Sequence, residues 1–198
     1  LINTTYKVVT EGDAPDYVLQ HVNTDIFPDV DMLMNNIVAV TSHIRKKLEA
    51  KNTEDIDRKV LKFVPCKDGK YYYVFDNKYW RVMVFIPDTV SKSGVTPESS
   101  YIVGETFGDF QAMLADIPVE LGETIKDFHN IEFRLQQFHD AVKEDKMGRA
   151  AGVKDIIDEI EKRAESMCKS EKLFREGKLP KRICHCDTKV DNILFDQD

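Results

Sequence analysis

Three polar residues near the end of the chain form the pattern that most strongly suggests chemistry. His185, Asp187 and Asn192 follow one another at spacings of two and five residues. A carboxylate can orient a hydroxyl group and take its proton, and an amide oxygen is a hard ligand suited to Mg²⁺. Phosphoryl transfer from a nucleotide needs little more from a protein than such positioning and charge compensation. The pattern therefore predicts a phosphoryl-transfer loop over residues 185–192.

Apolar residues flank this loop on both sides, at 182–185 and at 193–195. They predict two short strands that hold the polar turn between them. The alternative is that residues 187–191 form only a polar hairpin turn, with His185 as a core histidine. A zinc site at Cys184-His185-Cys186 is disfavoured because nothing nearby completes four ligands, so the two cysteines are expected to be small apolar residues on a buried strand.

Residues 185–196 resemble the catalytic loop of the aminoglycoside phosphotransferase and choline kinase family, whose usual form is H-G-D-x-x-x-x-N-(I/V)-L. The H-x-D-T-K-x-x-N variant in this chain is similar to the loop of the N-acetylhexosamine 1-kinase group. The resemblance extends over nearly the whole chain, through the segments 23–27, 85–90, 107–111 and 127–130.

This resemblance implies a protein-kinase-like fold, ATP as phosphate donor, Mg²⁺ as cofactor and a sugar or amino sugar as acceptor. It implies that Asp187 is the catalytic base, with His185 beside it, and that Asn192 is a Mg²⁺ ligand. The residues expected to contact the nucleotide are Asn3, Thr4, Gln20, Phe85 and Pro87.

The sequence departs from the family pattern in three respects. An acidic second metal ligand is expected beyond Asp198, and a glycine-containing phosphate loop is expected ahead of Leu1. Gln20 stands where many relatives carry a phosphate-binding lysine, and the helix after Asp29 offers no inward glutamate to pair with one. We therefore expect residues 1–198 alone to turn over very slowly or not at all, and a catalytically silent nucleotide-binding module stays open as the alternative. A mucin-desulfating sulfatase is disfavoured because no C/S-x-P-x-R motif occurs.

The elements around the loop predict an α+β, bilobal fold. Alternating β-branched and aromatic residues around turn signals indicate two hairpins, and apolar residues three and four apart indicate helices. We predict a β-rich N-lobe with one long helix over residues 1–86, and a truncated, mainly helical C-lobe over residues 87–198. The predicted elements are hairpins within 6–22 and 71–86, and helices over 29–50, from Pro97, over 133–142, and from Val153 to a stop at Gly177.

Composition limits the remaining function classes. The chain of 198 residues is 42% hydrophobic and 32% charged, an ordinary globular balance that argues against disorder. Its net charge of −7 argues against a nucleic-acid binder. No apolar run approaches the roughly 18 residues of a membrane span, and the first residues lack the features of a signal peptide. We therefore expect a cytoplasmic protein, and because the four cysteines show no disulfide spacing, we expect reduced thiols.

Overall fold

The computed structural model of this protein describes residues 2–197 and has the α+β fold class predicted from the sequence. Residue contacts divide the described chain into two compact units, residues 2–125 with 183–197 and residues 126–182. The lobe boundary between residues 86 and 87 stays a prediction. Within residues 2–197, no helix is both long and apolar enough to cross a membrane.

The first unit contains an antiparallel sheet of four strands. The strands are β1 (Thr4–Val8), β2 (Tyr17–Val22), β3 (Tyr73–Phe75) and β4 (Lys78–Val84). Their order in the sheet is β1-β2-β4-β3. Both predicted hairpins are present, and they meet where β2 pairs with β4. Asp76 and Asn77 close the second hairpin with φ values of 51° and 54°, as a tight hairpin turn requires.

The long helix α1 (Val30–Ala50) covers one face of this sheet. It begins where predicted, because the Asp29 carboxylate accepts a hydrogen bond of 2.8 Å from the Met32 amide. Val22 of β2 is fully buried in the cluster between helix and sheet. The other buried members of this cluster are Val30, Leu33, Met34 and Tyr72.

A second apolar cluster joins α1 to two further helices, α2 (Ile56–Lys59) and α3 (Pro97–Leu114). Helix α3 begins at the predicted Pro97 because Thr96 and Ser99 form a reciprocal capping box. Ile44, Val60 and Leu114 are buried at the centre of the cluster, and Ile183 packs against them from the segment before the polar loop.

The segment before the loop corrects one prediction. Residues 182–185 form no strand, because Ile183 packs against side chains of the second cluster instead of entering a sheet. Cys184 and Cys186 are accordingly exposed instead of buried. The segment after the loop does form a strand, β6 (Phe195–Asp196), which pairs with β5 (Thr89–Val90).

The second unit is helical, as predicted. It contains α4 (Ile131–Glu144), a 3₁₀ turn (Ala150–Val153), α5 (Lys154–Met167) and α6 (Lys169–Arg175). The last predicted helix is interrupted at Cys168 and continues only as far as Arg175, two residues before Gly177. Within this unit, Arg175 makes a two-pronged ion pair with Glu132, with both distances 2.7 Å.

Candidate functional site

Two buried side chains anchor the polar loop while its chemistry-bearing residues stay exposed. Val190 and Phe195 are 7% and 8% exposed. Residues Val190–Asn192 form a single 3₁₀ turn, and the pairing of Phe195 with Val90 in β5 fixes the chain beyond it. The C-terminal end of the loop is therefore fixed by packing, and residues 185–189 stay accessible to a ligand.

Asp187 and Asn192 lie in direct contact, as their spacing suggested. The Asn192 side-chain amide donates one hydrogen bond of 2.8 Å to the Asp187 carboxylate and another of 2.8 Å to the Asp187 carbonyl. These two bonds fix the amide nitrogen toward Asp187, so the amide oxygen Oδ1 points away from it. The loop thus presents the Asp187 carboxylate together with an Asn192 amide oxygen that their contact leaves unused.

Lys189 adds a positive charge to the loop that the sequence analysis did not single out. Its ammonium group lies 3.8 Å from the Asp187 carboxylate and 3.9 Å from that of Asp191. The Lys189 backbone amide also donates to the Asp187 carbonyl at 3.0 Å. Because these side chains are more than half exposed, solvent screens the ion pairs, which leaves the ammonium group able to meet another anion.

His185 contacts aromatic rings of α3. Its ring centroid lies 5.1 Å from that of Phe107 and 5.9 Å from that of Phe110, the latter in an edge-on arrangement. These contacts attach the start of the loop to the helix. The role of His185 in catalysis stays a prediction.

Cys186 has an unusual backbone conformation immediately before Asp187. Its φ of +66° lies in the left-handed region, which favours glycine, the residue of the family's usual H-G-D form. The Cys186 thiol donates a weak hydrogen bond of 3.5 Å to the Cys184 carbonyl. Burial, and secondarily the nearby Cys184, raises the pKa of this thiol, which keeps it protonated at neutral pH.

Arg58 ties the chain after the loop to the connection between β4 and β5. Its guanidinium pairs with the Asp196 carboxylate at 2.5 Å and donates to the Pro87 carbonyl at 2.9 Å. Phe85 lies at the other end of this connection, with its ring 4.0 Å from the Lys7 ammonium group. Phe85 and Pro87 thus belong to the same unit as the loop, and their contact with a nucleotide stays a prediction.

The residues predicted near the nucleotide do not all share one face of the sheet. Gln20 is the pairing partner of Thr5, and its side-chain amide donates to the Thr5 hydroxyl at 3.0 Å. Thr4 pairs with His21, so its side chain lies on the opposite face. Asn3 accepts a hydrogen bond of 3.0 Å from the Asn23 amide, which ties together the ends of β1 and β2. Their roles in binding stay predictions.

Sequence reasoning missed Arg81, which contacts Gln20 from the neighbouring strand. The Arg81 Nε–H group donates to the Gln20 side-chain oxygen at 3.0 Å. Burial lowers the pKa of Arg81 to about 10, which still leaves it charged at neutral pH. No local sequence pattern indicates this contact, because it depends on the register between β2 and β4, in which the two residues are partners.

A groove of about 700 Å³ lies beside the loop, between residues 188–191 and one face of α3 from Ser99 to Gln111. Its walls mix hydroxyl, amide and charged groups with small apolar surfaces. The side chains that matter most for a polar ligand are Ser100, Phe107, Gln111, Thr188 and Asp191. The groove is large enough for a small molecule.

The oxygen donors of the loop fit Mg²⁺. Among residues 2–197, no three His, Cys, Asp or Glu side chains gather closely enough to hold a metal ion. Asn192 supplies an amide oxygen, a hard ligand that its contact with Asp187 leaves unused. Mg²⁺ is commonly held by one or two protein side chains together with phosphate oxygens and water, so this oxygen suits a metal that arrives with a nucleotide.

Comparison with protein families gives one finding. The model described as the phosphotransferase enzyme family (APH) matches residues 1–198.

Proposed function

Because this chain belongs to the phosphotransferase enzyme family, we propose that it transfers the γ-phosphoryl group of ATP to a hydroxyl group of a small molecule. The observation that carries the proposal is the contact between Asp187 and Asn192 on an exposed, anchored loop. That contact supports the proposal because it joins on one loop a carboxylate able to accept a proton and an amide whose oxygen is a suitable ligand for Mg²⁺.

Asp187 acts as the base in this proposal. The acceptor oxygen forms a bond to the γ-phosphorus, the bond from that phosphorus to the leaving oxygen of ADP breaks, and the hydroxyl proton goes to the Asp187 carboxylate. Asn192 holds one carboxylate oxygen, Oδ2, by the 2.8 Å bond, so we assign proton transfer from the hydroxyl to the other oxygen, Oδ1. Mg²⁺ held by the Asn192 amide oxygen and the phosphates would offset the phosphate charge.

The acceptor we propose is a sugar, such as an N-acetylhexosamine. The resemblance of the H-x-D-T-K-x-x-N loop to that of the N-acetylhexosamine 1-kinases suggests it. The groove beside the loop supports it, since Ser100, Gln111 and Thr188 can bond to sugar hydroxyls and Phe107 can pack against a sugar ring.

An ATP-consumption screen tests this proposal. Aminosugars, simple hexoses, choline, homoserine and aminoglycosides are offered separately with ATP and Mg²⁺, and the Asp187→Asn variant serves as the matched control for contaminating activity. We expect ATP consumption with an aminosugar or hexose that the control lacks. A response to choline, homoserine or aminoglycosides alone would contradict the sugar assignment and leave the phosphotransferase assignment in place.

A second candidate is a nucleotide-binding module without catalytic activity. Gln20, which stands where many relatives carry a lysine, favours it. Nucleotide affinity measured with and without Mg²⁺ separates the two candidates. An enzyme of the proposed type binds ATP more tightly with Mg²⁺ and consumes it with an acceptor, whereas a silent module binds the nucleotide and consumes none.

A further inference from the structure

A row of three side chains crosses the central sheet on the face that packs against α1. Thr5 pairs with Gln20, and Gln20 pairs with Arg81, so the three residues lie side by side on adjacent strands. Each side chain bonds to the next at 3.0 Å, from Arg81 to Gln20 and from Gln20 to Thr5. The Arg81 guanidinium also reaches the Met34 sulfur of α1, at 3.7 Å, which identifies the face.

Arg81 has no charged partner in this arrangement. Among residues 2–197 no carboxylate forms an ion pair with it, and its neighbours are Gln20, Met34 and the ring of Phe63, 5.6 Å from the guanidinium carbon. Lys7, by contrast, is paired with Asp16 at 3.0 Å. A half-buried cation surrounded by neutral groups is unfavourable unless an anion comes to it.

We propose that Arg81 supplies the positive charge that contacts the phosphates of the bound nucleotide, with Gln20 as the residue that orients its guanidinium. The inference rests on the proposed function, because the anion it assigns is the triphosphate of ATP.

Geometry favours a phosphate as the partner. A guanidinium carries five N–H donors in a planar fork that matches phosphate oxygens, and the described contacts use only Nε and Nη1. The hydrogen bond that Arg81 donates to Gln20 fixes the plane of the fork, which reduces the entropy lost when a phosphate binds. Gln20 thus has a role without being a cation itself, because the charge comes from its partner on β4.

Calorimetric titration of the purified protein with ATP, ADP and adenosine, each with Mg²⁺, tests this inference. Arg81→Met should weaken the affinity for ATP and ADP by about tenfold to a hundredfold, the range for loss of a charge-assisted hydrogen bond. Adenosine affinity should not change, because adenosine carries no phosphate. Arg81→Lys should lose less ATP and ADP affinity than Arg81→Met, since it keeps the positive charge but not the planar set of N–H donors. Lys78→Met is the matched control, because it removes an exposed cation from the opposite face of the same strand.

A rescue variant separates a phosphate contact from a structural role. In Gln20→Lys/Arg81→Met, the new ammonium group is carried by the neighbouring strand. The Cα atoms of two directly paired positions such as 20 and 81 lie about 5 Å apart. The new ammonium group should restore at least part of the ATP affinity, whereas a variant that merely damages packing would not be rescued. If Arg81→Met does not fold, then Arg81→Lys carries the test.

The possible results discriminate between the inference and the proposed function. Wild-type affinity for ATP in Arg81→Met would overturn the inference and leave the phosphotransferase function standing. An equal loss of ATP and adenosine affinity would also overturn it, because the residue would then support the fold. A wild-type protein that binds no ATP would contradict both. Selective loss for ATP and ADP, with rescue by Lys at position 20, is the result expected.

Discussion

Replacing Cys186 by glycine should stabilise the protein relative to replacing it by alanine. At φ +66° a residue with a Cβ atom is strained by roughly 1–2 kcal/mol, and glycine avoids that strain. Glycine also lowers the free energy of unfolding by about 0.4–1 kcal/mol, because it gives the unfolded chain more conformational freedom. The difference predicts that Cys186→Gly is more stable than Cys186→Ala by about 0.8 kcal/mol, within a range from about zero to about 1.6 kcal/mol. Both variants lack the thiol, so its weak hydrogen bond cancels in the comparison.

Urea denaturation followed by the fluorescence of Trp80 provides the assay. Trp80 is the single tryptophan and lies in the same compact unit as the loop. The control is Ala112→Gly in α3, where glycine should destabilise by about 1 kcal/mol because the backbone is helical. The sign of the glycine effect should therefore reverse between the two positions. If Cys186→Gly is less stable than Cys186→Ala by an amount similar to the control, the left-handed conformation before Asp187 is refuted.

Two further predictions concern the metal ligand and the pH dependence of folding. Asn192→Ala should raise the Mg²⁺ concentration needed for half-maximal phosphoryl transfer. Asn192→Asp keeps a ligand oxygen, so it should need less Mg²⁺ than Asn192→Ala. Equal Mg²⁺ requirements in wild type and Asn192→Ala would remove the ligand assignment. Hydrogen bonds from Lys47 first, and His43 second, lower the pKa of Asp116, which joins α1 to the end of α3. A lowered pKa stabilises the fold above the ordinary carboxyl value of about 3.9 and loses that effect as the pH falls through the folded value. Wild type should thus exceed Asp116→Asn in urea midpoint at pH 6 and converge with it toward pH 3; a constant difference across this range would contradict the linkage.

Local patterns were sufficient to predict most elements of the fold. Asp29 and Pro97 mark the starts of α1 and α3 because the cap and the proline act within one turn of the helix. The hairpin turn at Asp76 and Asn77 is equally local. The predicted strand at 182–185 was wrong because an apolar run does not reveal whether its partner is a strand or a side-chain cluster.

The candidate site divides in the same way. The contact between Asp187 and Asn192 follows from a spacing of five residues within one loop, so the sequence could indicate it. The contact between Gln20 and Arg81 joins residues 61 positions apart and depends on the register of two strands. Such a register is set by burial and turn geometry over the whole sheet, and no short motif records it.

The most direct test of the central claim is the rate of phosphoryl transfer in Asp187→Asn, measured together with ATP affinity. The variant keeps the shape of the side chain and an oxygen that can accept the hydrogen bond from Asn192, but it loses the base. We expect the rate to fall by about 10²- to 10⁴-fold while ATP affinity stays close to that of wild type. A rate near that of wild type would contradict the role of Asp187 and the proposed mechanism with it.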